Sequence, residues 1–279
     1  MVHDDRRLEA VGASRRGVYW SALVVNAALG IGLVAAAVRM LAAAEGAAWG
    51  PTASAGALAG GTVWLVVTWS FHRNYLRVRR PDPRRVTVEH VGGQPAVVIG
   101  WRTTFHRQPL FVAVVVVLAA GWCLLALVRA GHWAWWVPVL VVVPLLLALP
   151  DELLQLVRPV RLVLTPQGLG ATGLDSDTWL DWDDVQEVRV EQADQWAVVR
   201  VVAAPWPASW SVRRRARFLS APAPDLPCVE VPGPAFPVDA RRVVAAVEHY
   251  RATPAARAEL AGEAGRRRLL GEPGAHDRA

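Results

Sequence analysis

The chain has 279 residues, enough for one or two domains, and its 53% apolar and 19% charged residues lean toward a membrane protein. A net charge of +6, carried by arginine alone because there is no lysine, favours anionic surfaces, and the position of the arginines decides which. The two cysteines, Cys123 in an apolar run and Cys228 in the polar tail, exclude a disulfide framework.

Residues 1–17 read as a cytoplasmic segment holding Arg6, Arg7, Arg15 and Arg16. Residues 18–71 read as a first transmembrane pair, with apolar runs from Gly17 to Val38 and from about Ala53 to Phe71. Residues 110–149 read as a second pair, with runs Leu110–Val128 and Trp133–Leu149; Pro138 and Pro144 invite a kink in the last. A re-entrant or buried soluble helix is the alternative for that shorter run. "SRRGVYW" also resembles a twin-arginine export signal with a cleavage site near Ala44, but the apolar stretch exceeds a signal core and three more runs follow.

Arginine counts alternate along the chain: high before the first run, Arg39 alone after it, high before the third, Arg129 alone after it, then Arg158 and Arg161. The alternation predicts four spans in the inner membrane with both termini cytoplasmic, and aromatics at the run ends (Tyr19, Trp20, Trp49, Trp133, Trp135, Trp136) fit the interfaces. The spans hold no Asp, Glu, Lys, Arg or His, which argues against a pump or coupled transporter. Asn26 is expected to make an interhelical hydrogen bond. Gly56 with Gly60, and Ala28 with Gly32 and Ala36, are expected to pack helices closely, within the bundle or between copies.

Residues 72–109 read as an Arg-rich cytoplasmic loop. Within it, "RRVTVEHVGGQPAVVIGWRT" predicts a short β-hairpin under the membrane, turned by "VGGQP". Its flank offers Arg77, Arg79, Arg80, Arg84 and Arg85 to anionic headgroups. Topology alone explains this cluster, so nucleic acid is not an expected partner.

The tail alternates with period two. "VRLVLT" (Val160–Thr165) places Val160, Leu162 and Leu164 on one face and Arg161 on the other. "PQGLGATG" reads as turns with a short return strand. "TWLDW", "VQEVRVEQ" and "QWAVVRVVA" read as strands, and "CVEVPG" as a closing one. "APWPASWSVRRRARFLSAPAPDLP" reads as irregular, with Arg213, Arg214, Arg215 and Arg217 as a second possible headgroup contact or a solvated cluster. From Asp239, a plausible N-cap, the period becomes helical with Val243, Val247 and Tyr250 on one face, and "AARAELAGEAGRRRLL" reads as a second helix.

"VRLVLTPQGL…TWLDWDDVQEVRV" resembles the bacterial pleckstrin-homology-like (PH-like) pattern: Thr165, Gly168 and Leu169 at a turn, then Trp182, Asp184 and Val185 leading into a strand. "YRATPAARAELAGEAGRRRL" resembles the tails of integral membrane proteins of actinobacterial type that carry such domains. The resemblance implies a PH-like antiparallel β-barrel or sandwich over residues 158–252, capped by a C-terminal helix, with the remaining helix and tail at 253–279. It implies binding or scaffolding rather than catalysis. Phosphoinositide-binding PH domains carry basic residues in the first turn, whereas "PQGLGATGLDSD" has no arginine.

Asp175, Asp177, Asp181, Asp183 and Asp184 lack the alternate spacing of a calcium loop, and the seven histidines show no zinc spacing. No phosphate loop, dinucleotide fingerprint or nucleophile elbow occurs. The sequence thus predicts no cofactor, no metal and no enzyme. It predicts a membrane-tethered interaction or scaffold protein in contact with the lipid bilayer, with a protein partner or self-association possible. The alternative is a regulatory or structural component of a channel or transporter complex.

Overall fold

The computed structural model describes residues 5–43, 50–73, 82–129, 131–173, 176–193, 196–215 and 226–272. The chain divides into two compact units. One comprises Ala13–Val78 and Arg107–Leu154; the other comprises Arg79–His106 and Gln155–Ala279 with Met1–Gly12.

The first unit is helical, drawing on α1 (Asp5–Ala43), α2 (Gly50–Phe71), α3 (Thr103–Arg129) and α4 (Trp136–Val157). Three segments are long and apolar enough to cross a membrane: Trp20–Ala42, Leu110–Arg129 and Trp133–Asp151. Their outward side chains are themselves apolar; Leu118 is 68% and Leu140 64% exposed. The sequence reading expected four spans. The apolar part of α2, Gly56–Phe71, is shorter, because its first turns carry Pro51, Thr52 and Ser54. Pro144 and Pro150 lie inside α4 without ending it. The fourth expected run, Trp133–Leu149, extends further along α4: Asp151, just beyond it, falls within the candidate span and is buried.

Helices α1 and α2 approach through Gly30 and Gly61. A Cβ on Gly61 would meet Val34 Cγ2 at 2.8 Å and the Gly30 carbonyl oxygen at 3.1 Å, and one on Gly30 would meet the Leu65 side chain at 2.8 Å. The expected packing glycines differ: Gly32 and Gly60 have nothing within 4 Å of a built Cβ, and Gly56 touches only a Trp122 ring atom at 3.9 Å. Asn26 donates to its own helix, at the Ala22 carbonyl oxygen 2.7 Å away, rather than to a neighbouring one. The Trp20 and His72 rings meet tilted at 59° with centroids 5.5 Å apart, joining the start of the apolar part of α1 to the end of α2.

The second unit is built of two antiparallel sheets. One runs in the order β1 (Val86–Val91), β2 (Gln94–Gly100), β3 (Arg161–Leu164), β4 (Gly168–Thr172), β5 (Ser176–Asp181), β8 (Ser211–Arg214). The other runs β6 (Val185–Ala193), β7 (Trp196–Ala203), β9 (Cys228–Pro232). The sheets do not close into a barrel. The loop hairpin, placed by the sequence reading outside the 158–252 domain, is the first third of the larger sheet. Gly92 and Gly93, at φ +61 and +84, turn β1 into β2, and β2 pairs with β3 through Val97↔Leu164, Val98↔Val163, Ile99↔Leu162 and Gly100↔Arg161. The domain is therefore continuous in space and interrupted in sequence, with α3 and α4 inserted between two neighbouring strands. The stretch read as irregular contains β8.

One apolar cluster joins both sheets: Val97, Ile99, Leu162, Leu164, Leu169 and Leu180 from the larger, Val199, Val201, Val229 and Val231 from the smaller. Helix α5 (Ala240–Ala252) adds Val243, Ala246, Val247 and Tyr250, the i, i+3, i+4, i+7 set of one face, and Asp239 caps it by accepting from the Arg241 amide at 3.0 Å. The stretch read as a second helix is a 3-10 helix, Pro254–Ala261, then α6 (Glu263–Leu270). Gly262, extended at φ −156 and ψ −166, separates them, and Leu260, Leu269 and Leu270 still reach the core. β3 also departs from the expected one-sided burial: Val163 is buried with Ala96 and Val98 in a second cluster on the opposite face.

Gly170 fits because the Trp179 ring lies across it; a Cβ there would come 2.7 Å from both Trp179 Cε3 and the Thr178 carbonyl oxygen. Gly170→Val is expected to destabilise the sheet unit by about 1–3 kcal/mol through overpacking against backbone, read as a lowered Tm of the detergent-purified chain. Gly60→Val, facing open space, should leave Tm within measurement error.

Candidate functional site

Of the six residues that carried the PH-like resemblance, Thr165, Gly168 and Trp182 meet at one structural knot. Thr165 Oγ1 accepts from the Gly168 amide at 3.1 Å and donates to the Gly168 carbonyl oxygen at 3.0 Å, closing the turn between β3 and β4. Trp182, 1% exposed, donates its indole N–H to the Thr165 carbonyl oxygen at 2.7 Å and packs on Tyr250 at 6.1 Å between centroids. Arg257 lies over the Trp182 ring at 5.9 Å and pairs with Asp183 at 2.7 Å. Leu169 and Val185 are buried in the core. Asp184 accepts from the Ser209 hydroxyl at 2.5 Å and from its amide at 3.0 Å; the hydroxyl first, then the amide, hold this carboxyl below the usual carboxylate range. The polar groups of these residues are engaged within the fold, with one another, with Ser209 or with Arg257.

The register of the larger sheet gathers cations at one end. Neighbours across one row are Gly100, Arg161, Thr172, Asp177 and Arg213; the next row pairs Ser176 with Arg214. Arg85 immediately precedes β1, whose first residue pairs with Ile99. Most of these cations are already engaged. Asp177 takes Arg158 at 2.5 Å and Arg215 at 2.9 Å. Arg161 pairs with Glu89 and Arg85 with Asp82, each at 3.1 Å, and Arg85 also donates to the Trp101 carbonyl oxygen at 2.9 Å. Arg102 donates to the carbonyl oxygens of Phe236 at 2.6 Å and Pro237 at 3.4 Å, and burial lowers its pKa. All four residues of β8 are exposed. Arg84, Arg213 and Arg214 are exposed, and their side chains make no hydrogen bond or ion pair among the described residues. Arg77, Arg79, Arg80 and Arg217 lie outside the described residues.

Arg102, Arg158 and Arg161 escaped the sequence search because their position at this end follows from register. Trp206 escaped it too. It is 96% exposed, at φ +57, between Pro205 and Pro207, in a loop held by Ser209 to Asp184 and to the Asp181 amide. Asp181 ends β5 at the side away from Ser176, so Trp206 and the cation-rich end are separate features.

On the smaller sheet Arg200 bridges Glu191 and Glu230 across three strands, a cross-strand ladder of a wet sheet face. Beside it the Cys228 thiol, 2% exposed, is pushed up to about 12 by burial and then by Glu230, which keeps it protonated and unreactive. Among the described residues no group of three or more His, Cys, Asp or Glu is placed to hold a metal ion. No family model, curated protein or solved structure matches the chain.

Two outcomes follow. In a Cys123→Ala background, Cys228 is expected to resist iodoacetamide at pH 8 until denaturant is added; rapid labelling of the folded chain would contradict its burial. A carboxylate with a lowered folded pKa contributes stability above its ordinary pKa and loses it as pH falls through the lowered value. Ser209→Ala should therefore lower Tm at neutral pH, and the gap from the unaltered chain should shrink in acid below the usual carboxylate range.

Proposed function

We propose that the protein is a four-span inner-membrane protein whose two-sheet unit is a PH-like interaction or scaffold module held on the cytoplasmic side. One observation carries this reading: β2 and β3 pair although α3 and α4 intervene. If that helix pair crosses the bilayer and returns, the loop hairpin and the tail lie on one side and complete one domain there. The arginine alternation assigns that side to the cytoplasm. α2 supports a fourth span by length: 22 residues at about 1.5 Å each give roughly 33 Å, enough for the hydrocarbon layer. Two antiparallel sheets sharing a core with α5, and the Trp182–Thr165 knot, support the PH-like reading. Tethering raises the effective concentration of the module toward membrane partners.

A second reading, a regulatory part of a channel or transporter, rests on Asp151, an ionisable residue buried at the end of a candidate span. Flux through the reconstituted chain above a protein-free control would favour it.

Reporters inserted between Gly92 and Gly93 and after Ala279 are expected to respond alike and only in the cytoplasm. Opposite responses would overturn the shared-domain topology. Proximity labelling from the C-terminus should enrich a set of membrane proteins, and Val97→Asp with Ile99→Asp, which breaks the core face of β2, should disperse that set. An unchanged set would remove the domain from the interaction.

A further inference from the structure

We infer that the cation-rich end of the larger sheet is an anionic-lipid contact, read by Arg213 and Arg214 of β8 together with Arg84. This rests on the membrane-tethered reading and names what the module touches. Three chain passages lead from the sheet unit to the apolar helices: into β1 from α2, out of β2 to α3, and into β3 from α4. By register all three sit at one end, where Val86 faces Ile99 and Gly100 faces Arg161. Few residues separate Gly100 from the start of α3 at Thr103, or the end of α4 at Val157 from Arg161. The same row, followed outward through Thr172 and Asp177, ends on Arg213, and the next on Arg214. The opposite end carries the glycine turn of β1–β2 and the Thr165–Gly168 turn, and no passage to the helices.

Charge accounting selects among the arginines. Arg158 and Arg215 share Asp177, while Arg161 and Arg85 have Glu89 and Asp82. An arginine held by a carboxylate offers little net field to a headgroup. Arg84, Arg213 and Arg214 have no such partner among the described residues and are exposed. β8 is also an edge strand, and its two arginines discourage another strand from pairing there. A polyanionic surface is the complement of this edge, and the chain connections favour the bilayer over a soluble acidic protein.

The test uses the full chain, with Cys123→Ala and Cys228→Ala, carrying an environment-sensitive dye at Ser211→Cys. It is reconstituted in nanodiscs of phosphatidylcholine alone or with phosphatidylglycerol, each containing headgroup-nitroxide lipid. Quenching is expected to be stronger with phosphatidylglycerol, and the population in contact to rise roughly thirtyfold for two arginines. The difference should vanish near 1 M salt, where the Debye length falls to about 3 Å. Arg213→Gln with Arg214→Gln should abolish it, and Arg84→Gln should weaken it. Equal quenching in both lipids overturns the inference and leaves the tethered reading standing. A dye response to an added acidic polypeptide and not to phosphatidylglycerol overturns it in favour of a protein partner. Failure of the chain to enter nanodiscs overturns the tethered reading itself. The exposed variants leave the core untouched, and the salt titration needs no change at the arginines.

Discussion

The pairing of β2 with β3 is the constraint on which the rest of the structure depends. Four residue pairs, Val97↔Leu164 to Gly100↔Arg161, join a loop hairpin to a tail separated from it by two long helices. Without them β3 would be an exposed edge, and Val97 and Ile99 would lose the core they share with Leu162 and Leu164. Strands paired this way lie about 4.8 Å apart, so the inserted helices must begin and end close together. The same constraint lines up the chain passages at one sheet end and makes the arginine distribution there meaningful.

Within the sheet unit the polar side chains are largely spent on architecture. Asp177 holds two arginines, Asp184 pins the loop before β8, and Arg266 reaches from α6 to the Val86 carbonyl oxygen at 2.7 Å. Glu259, held below the usual carboxylate range first by its hydrogen bonds from Arg268, sits beside Tyr250, whose hydroxyl is pushed up to about 12 by burial and then by Glu259. Such groups tie elements together in their resting protonation states.

The parts legible in the sequence were those set by local periodicity. Val188 and Val190 alternating with Arg189 and Glu191 marked β6, and Asp239 followed by apolar residues at helical spacing marked α5. Long-range pairing was not legible, because a hairpin's own alternation does not say which strand it will meet. β8 was missed because its residues are all exposed and carry no alternation. Gly56 and Gly60 were favoured over Gly30 and Gly61 because spacing identifies a stripe but not which way it faces. Helix α6 begins later than its pattern suggested because Gly262 adopts an extended backbone. For the arginines, clustering in sequence drew attention to Arg77–Arg85 and Arg213–Arg217. Which of them keep their charge unpaired emerged only from the positions of Asp82 and Asp177.

An interrupted domain also sets an order of events at the ribosome. β1 and β2 emerge first, with the apolar residues Val86, Val97 and Ile99 lacking their eventual cover. Roughly sixty residues follow before β3 arrives, several seconds of synthesis at about 5–20 residues per second. During that interval α3 and α4 are made while the hairpin waits for its neighbouring strand. Until β3 arrives, β2 keeps a naked strand edge, a surface open to pairing with other chains.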